Sequence, residues 1–341
     1  MPSNEIKPMD IDPYTDPYGF LGIIKNSDGS ITRKQKSIPA NSDPDRLNNP
    51  NPVLSKDIPI NQANNTWARI YLRRPESDAA PTTKQPLIIY FHGGGFVLGS
   101  ASTPIYHKFC CDLANEIPAV IVSVEYRLGP EHRLPAAYDD SMEALRWVSA
   151  AADEWLTKYA DFSKCFLMGM SAGGNIAYRV GLRAVTCGED LMPLKIRGLI
   201  LHHPFFGGVQ RTSSEIRMDV EKVCPLSIGD IMWDLGLPIG ADRDHEYCNP
   251  MVGIRSDLLE KMKDQRWKVM VIGGDKDPLL DREIEFMKML KEKGVDVVGH
   301  FSKGGTHGFE FLDASKAKIL YGVVKNFILC TLFGFPFINK L

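Results

Sequence analysis

Five short apolar runs recur along the chain: PLIIYF (86–91), AVIVSV (119–124), CFLMGM (165–170), IRGLILH (196–202) and WKVMVIGG (267–274). Continuous runs of this length, rich in β-branched residues, are what strands buried on both faces require. The stretches between them over 104–116, 136–148, 174–186 and 281–293 read as helices. In the second of these, Met142, Leu145 and Val148 share one face. VDVVGHF (295–301) adds a strand, 313–329 a final helix, and TWARIYL (66–72) an alternating strand ahead of the series. Strands alternating with helices demand a mostly parallel sheet covered on both faces, an α/β fold. With 341 residues, 44% of them hydrophobic, the chain can bury that core without disulfides or metal.

Residues 1–65 are rich in Pro, Asn, Asp and Ser, with turn pairs at Asn49-Pro50 and Asn51-Pro52. They are expected to form an arm that contributes to a cap, ahead of an α/β domain over 66–341. SDAAPTTKQ (77–85) reads as a loop. The stretch 205–262 breaks the alternation, and SIGDIMWDLGLP (227–238) within it reads as an amphipathic helix. This segment is expected to lie as a cap insertion over the carboxyl edge of the sheet.

Lys+Arg totals 40 against 42 Asp+Glu, a net charge of -2, so no bulk electrostatics favours nucleic acid. The first residues are polar and acidic, without the apolar stretch of a secretory signal. No run reaches the roughly 18 apolar residues of a membrane span. NFILCTLFGFPFI (326–338) is broken by Gly334 and Pro336 and is expected to pack on the body. Seven cysteines, an odd number with no CxxC spacing, read as reduced thiols. Together these lead to a cytoplasmic expectation. The histidines are dispersed without ligand spacing, so no metal or other cofactor is expected.

The strongest chemical signal is Gly169-Met170-Ser171-Ala172-Gly173, a G-x-S-x-G between a predicted buried strand and a predicted helix. The motif alone occurs by chance; the strand–turn–helix context gives it weight, because a tight turn there lifts the Ser171 hydroxyl off the sheet edge. The helix that follows points its N–H groups and positive dipole end at the same place. HGGGF (92–96), directly after a strand, supplies unobstructed backbone N–H groups suited to an oxyanion. A phosphate cradle is the competing use, but the sequence lacks the P-loop and G-x-G-x-x-G patterns. A serine nucleophile needs a base and an orienting acid. His307 in GGTHGF and Asp277 in GGDKDPLLD both follow predicted strands at the edge that carries Ser171. Asp275 and Asp281 compete with Asp277, with loop capping and helix capping as their alternative roles.

HGGGF, YRLGPEHRLPAAYDD (126–140), GMSAGGN, and DPLLD followed by THGF together resemble the plant carboxylesterase family, within the hormone-sensitive-lipase-like branch of the α/β-hydrolases. The resemblance covers roughly 66–329. It implies an α/β-hydrolase fold with an eight-stranded, mostly parallel sheet and a helical cap. It also implies Ser171 as nucleophile, His307 as base, Asp277 as its orienter, and Gly94, Gly95 and Ala172 as oxyanion donors, with Gly93 shaping the loop. Arg127, Glu131 and His132 are expected to form a buried polar network. Two positions depart from the family pattern: Met170 stands where an acidic residue is usual, and Gly129 where alanine is usual.

Phe96, Met170, Phe205, Phe206, Met232 and Trp233 are the expected pocket residues, suited to a small or medium acyl or alkoxy group. His202 and His203 are expected to be buried with satisfied hydrogen bonds. The resulting reading is a serine carboxylesterase of specialised metabolism acting on a small-molecule ester. Its activity is expected to rise with pH through about 6–7, as a histidine base requires. A dehydratase or cyclase on the same scaffold, and a gibberellin-receptor-like binding protein, are the alternatives.

Overall fold

The apolar runs pair side by side as parallel strands. The computed structural model describes residues 12–34, 38–44, 51–75, 82–218 and 223–337. Its main sheet contains β1 (Val53–Asn61), β2 (Thr66–Arg73), β3 (Gln85–Phe91), β4 (Val120–Val124), β5 (Ala160–Met170), β6 (Ile196–His202), β7 (Lys268–Gly274) and β8 (Asp296–Ser302). Their order is β8-β7-β6-β5-β3-β4-β2-β1. Neighbours from β8 across to β4 are parallel, whereas β2 runs antiparallel to both β4 and β1.

The longer helices are α1 (Pro104–Glu116), α2 (Ala136–Ser149), α3 (Ala172–Ala184), α4 (Leu226–Gly236), α5 (Ser256–Asp264), α6 (Leu280–Glu292) and α7 (Ala314–Phe333). The two-residue period of a strand sends alternate side chains to opposite faces. Leu87, Ile89 and Phe91 of β3 therefore join Leu145, Ile176 and Phe286 from α2, α3 and α6 in one core. Ile88 and Tyr90 join Phe109, Leu113, Leu320 and Phe327 from α1 and α7 in the other. Both cores grip the same sheet, so the loops at its carboxyl edge stand on a rigid base.

Three findings bear on the expected boundaries. β1 lies inside the stretch read as an arm: VLSKDIPIN holds no continuous apolar run because, as an edge strand, only Val53, Leu54 and Ser55 are buried in sequence. Its Pro59 and Lys56 suit an edge, where a missing N–H and a charge discourage further pairing. α5, within the expected insertion, packs on α3 and buries Leu259 and Met262 in the main core, so it belongs to the body. α4 does meet the arm. Leu21 and Ile23 from the arm, Val97 from the loop after β3, and Ile228 and Leu235 from α4 form a third apolar cluster.

The polar N-terminal stretch through residue 11, the Asn49-Pro50 turn, residues 76–81 and residue 338 lie outside the described residues. In the C-terminal apolar segment, Phe327, Ile328 and Cys330 are buried and Phe333 and Phe335 are exposed. Among the described residues no helix is long and apolar enough to cross a membrane. All seven cysteines are free thiols.

Phe327 of α7 meets Phe166 of β5 edge to face, with ring centroids 6.2 Å apart. Phe327→Ala should lower stability by about 3–5 kcal/mol in urea unfolding, the usual cost of deleting a buried aromatic ring. A loss below about 1 kcal/mol would mean that α7 is not docked as described.

Candidate active site

The turn after β5 places Ser171 at the N-cap of α3 with φ 55 and ψ −118. A non-glycine residue held at positive φ is strained and persists only where its surroundings over-determine it. Here they do: the Ser171 N–H donates to His202 O at 2.8 Å, and Ser171 O accepts from Asn175 N at 3.1 Å and Phe205 N at 2.9 Å. Gly173 cannot carry a side chain, since a Cβ there would sit 1.9 Å from Phe91 O. A serine at an N-cap usually spends its hydroxyl on its own helix. Ser171 makes no such bond; its Oγ–H donates to His307 Nε2 at 3.0 Å.

The rest of the arrangement follows from one carboxylate. Asp277, fully buried in the loop after β7, accepts from His307 Nδ1–H at 2.9 Å through Oδ2. Its Oδ1 accepts from the Leu279 N–H at 2.9 Å. An ionised carboxylate only accepts, so His307 carries its proton on Nδ1 and presents the Nε2 lone pair to Ser171. The structure thus joins Ser171, His307 and Asp277, from the loops after β5, β8 and β7, in one hydrogen-bonded line. The competitors lie elsewhere. Asp275 accepts from Gly304 N at 2.6 Å. Asp281, expected to cap its own helix, instead accepts from Ser214 N at 2.7 Å.

Behind this line stand four further buried titratable groups; His202 and His203 are buried, but the satisfied hydrogen bonds expected for their rings are not formed among the described residues. His203 Nδ1 lies 2.5 Å from the same Asp277 Oδ2. Glu283 Oε1 is 3.8 Å from His203 Nδ1, and His202 Nε2 is 3.5 Å from Glu310 Oε2. Burial raises the Asp277 carboxyl, but the charges and hydrogen bonds of His307 and His203 outweigh it and hold the group well below the usual range. Burial, and then the Asp277 charge, push Glu283 well up. Burial pushes Glu310 to about 8 and His202 well down. The cluster therefore concentrates its negative charge on Asp277 and disfavours ionisation of the flanking acids. The fold overrides the linear dispersal of the histidines. His202, His203 and Glu310, and separately His203, Asp277 and His307, bring single donor atoms within 4.8 Å of one another. In the second set, Asp277 and His307 are already committed to each other.

The loop after β3 turns back beside Ser171. Gly94 has φ 112, and a Cβ there would lie 2.1 Å from Leu98 O, so only glycine fits. Among the described residues, the N–H groups of Gly94, Gly95 and Ala172 donate to no protein acceptor. His92, stacked on Tyr126 at 4.2 Å, is pushed down to about 4 by burial and supports the loop as a neutral ring. Arg33 from the arm donates to Val97 O at 2.5 Å and Gly129 O at 2.9 Å, tying the arm to the same loop.

The expected pocket residues divide. Trp233 of α4 stacks on Phe205 at 4.5 Å and meets Phe96 at 5.4 Å, all three at most 2% exposed. They form a packed seam that docks α4 on the loop after β3. Phe206 turns away to pack on Tyr178 and Phe286. Met232 lies directly over Gly95, with Sδ 2.0 Å from where a Cβ would stand. Met170 is buried between Gly93 and Gly308, bracing the two loops that flank Ser171. The expected network of Arg127, Glu131 and His132 is corrected. Arg127 pairs bidentately with buried Asp140, whereas Glu131 and His132 are exposed and Glu131 pairs with Arg33 at 3.0 Å. A charged residue beside a proline-rich turn reads the same in sequence whether it faces inward or outward.

Glu310 offers a test of the charge assignment. A carboxyl raised to about 8 when folded, against 4.5 in the open chain, contributes stability that is complete below about pH 4.5 and is lost as pH rises through about 8. Glu310→Gln removes this dependence. The melting temperature of the variant relative to wild type should therefore climb steadily between about pH 5 and pH 8. A gap independent of pH would mean that Glu310 is ionised in the folded protein.

Residues 88–311 match the family model described as alpha/beta hydrolase fold. Carboxylesterase 20 of Arabidopsis thaliana is 52% identical, covering 94% of this chain and 98% of the relative. The 3-O-acetylpapaveroxine carboxylesterase of Papaver somniferum is 44% identical, covering 92% and 99%. Among solved structures, an esterase of Pyrobaculum calidifontis superposes with a TM-score of 0.66 at 27% identity, covering 81% of this chain and 85% of that one. The chain belongs to the plant carboxylesterase family of the alpha/beta hydrolase fold.

Proposed function

We propose that the protein is a serine carboxylesterase in which Ser171 is the nucleophile, His307 the general base and Asp277 its orienter. The observation that carries this reading is the unbroken line from Ser171 Oγ through His307 to Asp277, at 3.0 and 2.9 Å, starting from a strained elbow. In this mechanism His307 Nε2 takes the hydroxyl proton as Oγ adds to the ester carbonyl. The N–H groups of Gly94, Gly95 and Ala172 hold the resulting oxyanion. The C–O bond to the alcohol breaks as His307-H⁺ returns a proton to the leaving oxygen. Water then adds to the acyl-enzyme with His307 as base, and collapse releases the acid and restores Ser171.

The family relatives named carboxylesterases support ester hydrolysis as the reaction class. The poppy relative, whose name specifies a 3-O-acetyl compound, supports a small-acyl ester of specialised metabolism as the substrate class. The intact proton path from Ser171 favours turnover over the retained ligand of a receptor. It also favours release of an alcohol and an acid over the water released by a dehydratase.

The test is hydrolysis of p-nitrophenyl acetate and butyrate by wild type and by Ser171→Ala. Wild type should turn over both, and the variant should lose about 10³-fold or more in kcat. A folded wild-type protein inert toward both esters, or a Ser171→Ala variant that keeps its activity, would sink the proposal.

A further inference from the structure

Asp277 has a second histidine that the hydrolytic cycle described above does not use. His203 follows β6 directly, as Asp277 follows β7, and the two strands are parallel neighbours. The His203 backbone takes φ 46, the left-handed region, while its N–H donates to Ile272 O of β7 at 2.7 Å. Positive φ is uncommon for any residue with a Cβ, and it is informative where it aims a group. Here it brings Nδ1 to 2.5 Å from Asp277 Oδ2, the oxygen that also accepts from His307. Neither Nδ1 nor Nε2 makes a hydrogen bond of good geometry among the described residues; the approach of Nδ1 to Asp277 Oδ2 is the shortest polar contact of a ring that also packs on His202, His307 and Phe309. His203 is fully buried.

We propose that His203 is a positioning residue for the hydrolytic site: its Nδ1–H shares Asp277 Oδ2 with His307, fixing the carboxylate and dispersing its charge. This rests on the Ser171–His307–Asp277 reading and deepens it. A carboxylate held on Oδ1 by the Leu279 N–H and on Oδ2 by the His307 Nδ1–H, with His203 Nδ1 close against the same Oδ2, has little freedom to rotate. Because both rings draw on one oxygen, His203 also limits how strongly Asp277 stabilises the imidazolium of His307.

The sign of the consequence follows. The groups facing His203 are Asp277, His307, His202 on its own strand, Glu283 of α6 and Glu310 of the short helix after His307. Burial pushes His203 down, against the pull of Asp277, and pushes Glu283 and Glu310 up. These directions favour the neutral forms around Asp277. Without His203, the Asp277 charge is less dispersed and favours protonated His307 more. The acid limb of the pH–rate profile then moves to higher pH.

The experiment compares wild type, His203→Phe and His203→Asn, with p-nitrophenyl acetate as substrate. Asparagine tolerates positive φ and offers an N–H near the place of Nδ1. His203→Phe should lose about tenfold to a hundredfold in kcat with KM little changed, the scale set by slight misplacement of a reacting group. Its acid limb should move up, and His203→Asn should restore both. A folded His203→Phe with the wild-type rate and profile would overturn the inference. So would equal losses in both variants with an unmoved limb. Should His203→Phe fail to fold, the tautomer in wild type decides: ¹⁵N-histidine NMR should find the proton of His203 on Nδ1, and a proton on Nε2 alone would overturn the inference. A Ser171→Ala protein that remains active brings down the triad reading and this inference with it. A collapsed Ser171→Ala beside an unaffected His203→Phe brings down this inference alone.

Discussion

A single buried charge organises the carboxyl edge of this sheet. Placing a carboxylate at zero exposure costs several kcal/mol unless its oxygens are met by donors. Asp277 meets that condition with the Leu279 N–H of its own turn and His307 after β8, and His203 after β6 brings Nδ1 to 2.5 Å from the same Oδ2. Three loops that share no sequence proximity are thereby held to one atom pair. The same charge dictates the state of its neighbours. Burial, with the Asp277 charge as a further push, disfavours ionisation of Glu283 and Glu310. Two acids of the same chemical type as Asp277 are thus driven in the opposite direction, and environment alone makes the difference.

The strain needed to aim these groups is concentrated where the sheet can bear it. Ser171, His203 and Phe96 all hold positive φ at the ends of β5, β6 and β3. Each is fixed by backbone hydrogen bonds to an adjacent strand or turn: Ser171 N to His202 O, His203 N to Ile272 O, and Gly129 N to Phe96 O. The carbonyls of a strand point sideways toward its neighbours, so neighbouring strand ends supply the restraints that distort each other's turns. This is why the chemistry clusters at the carboxyl edge and why glycine is required at Gly173, where α3 crosses Phe91 O at close range.

Much of this was legible in the sequence because strand burial and motif context are local properties. The runs at 86–91, 119–124, 165–170, 196–202 and 267–274 each became a strand of the sheet, within a few residues of the expected ends. Ser171, Asp277 and His307 were brought together where strand order placed them. What escaped depended on lateral neighbours. β1 is half exposed and so leaves no apolar run. α5 looks like part of an insertion until its contact with α3 is seen. Phe205, Phe96 and Trp233 share the composition of a pocket wall and of a packed seam. His203 is the instructive case, since two consecutive histidines at a strand end say nothing until β7 is known to lie beside β6.

The seam also bears on how a substrate is selected. Phe96 belongs to the loop that presents Gly94 and Gly95, and its ring is clamped against Trp233 of α4. Val97 of the same loop packs with Leu21 and Ile23 of the arm and Ile228 and Leu235 of α4, while Arg133 ties the end of α4 to the body through Leu237 O at 2.7 Å. The backbone that would bind the developing oxyanion is therefore part of the same packed unit as the segment that roofs it. A change in α4 or the arm that repositions Met232 over Gly95 shifts the donors as well as the roof. In such an arrangement, substrate shape and transition-state stabilisation are not independent properties: a poorly fitting acyl group that displaces α4 also displaces the N–H groups on which the rate depends.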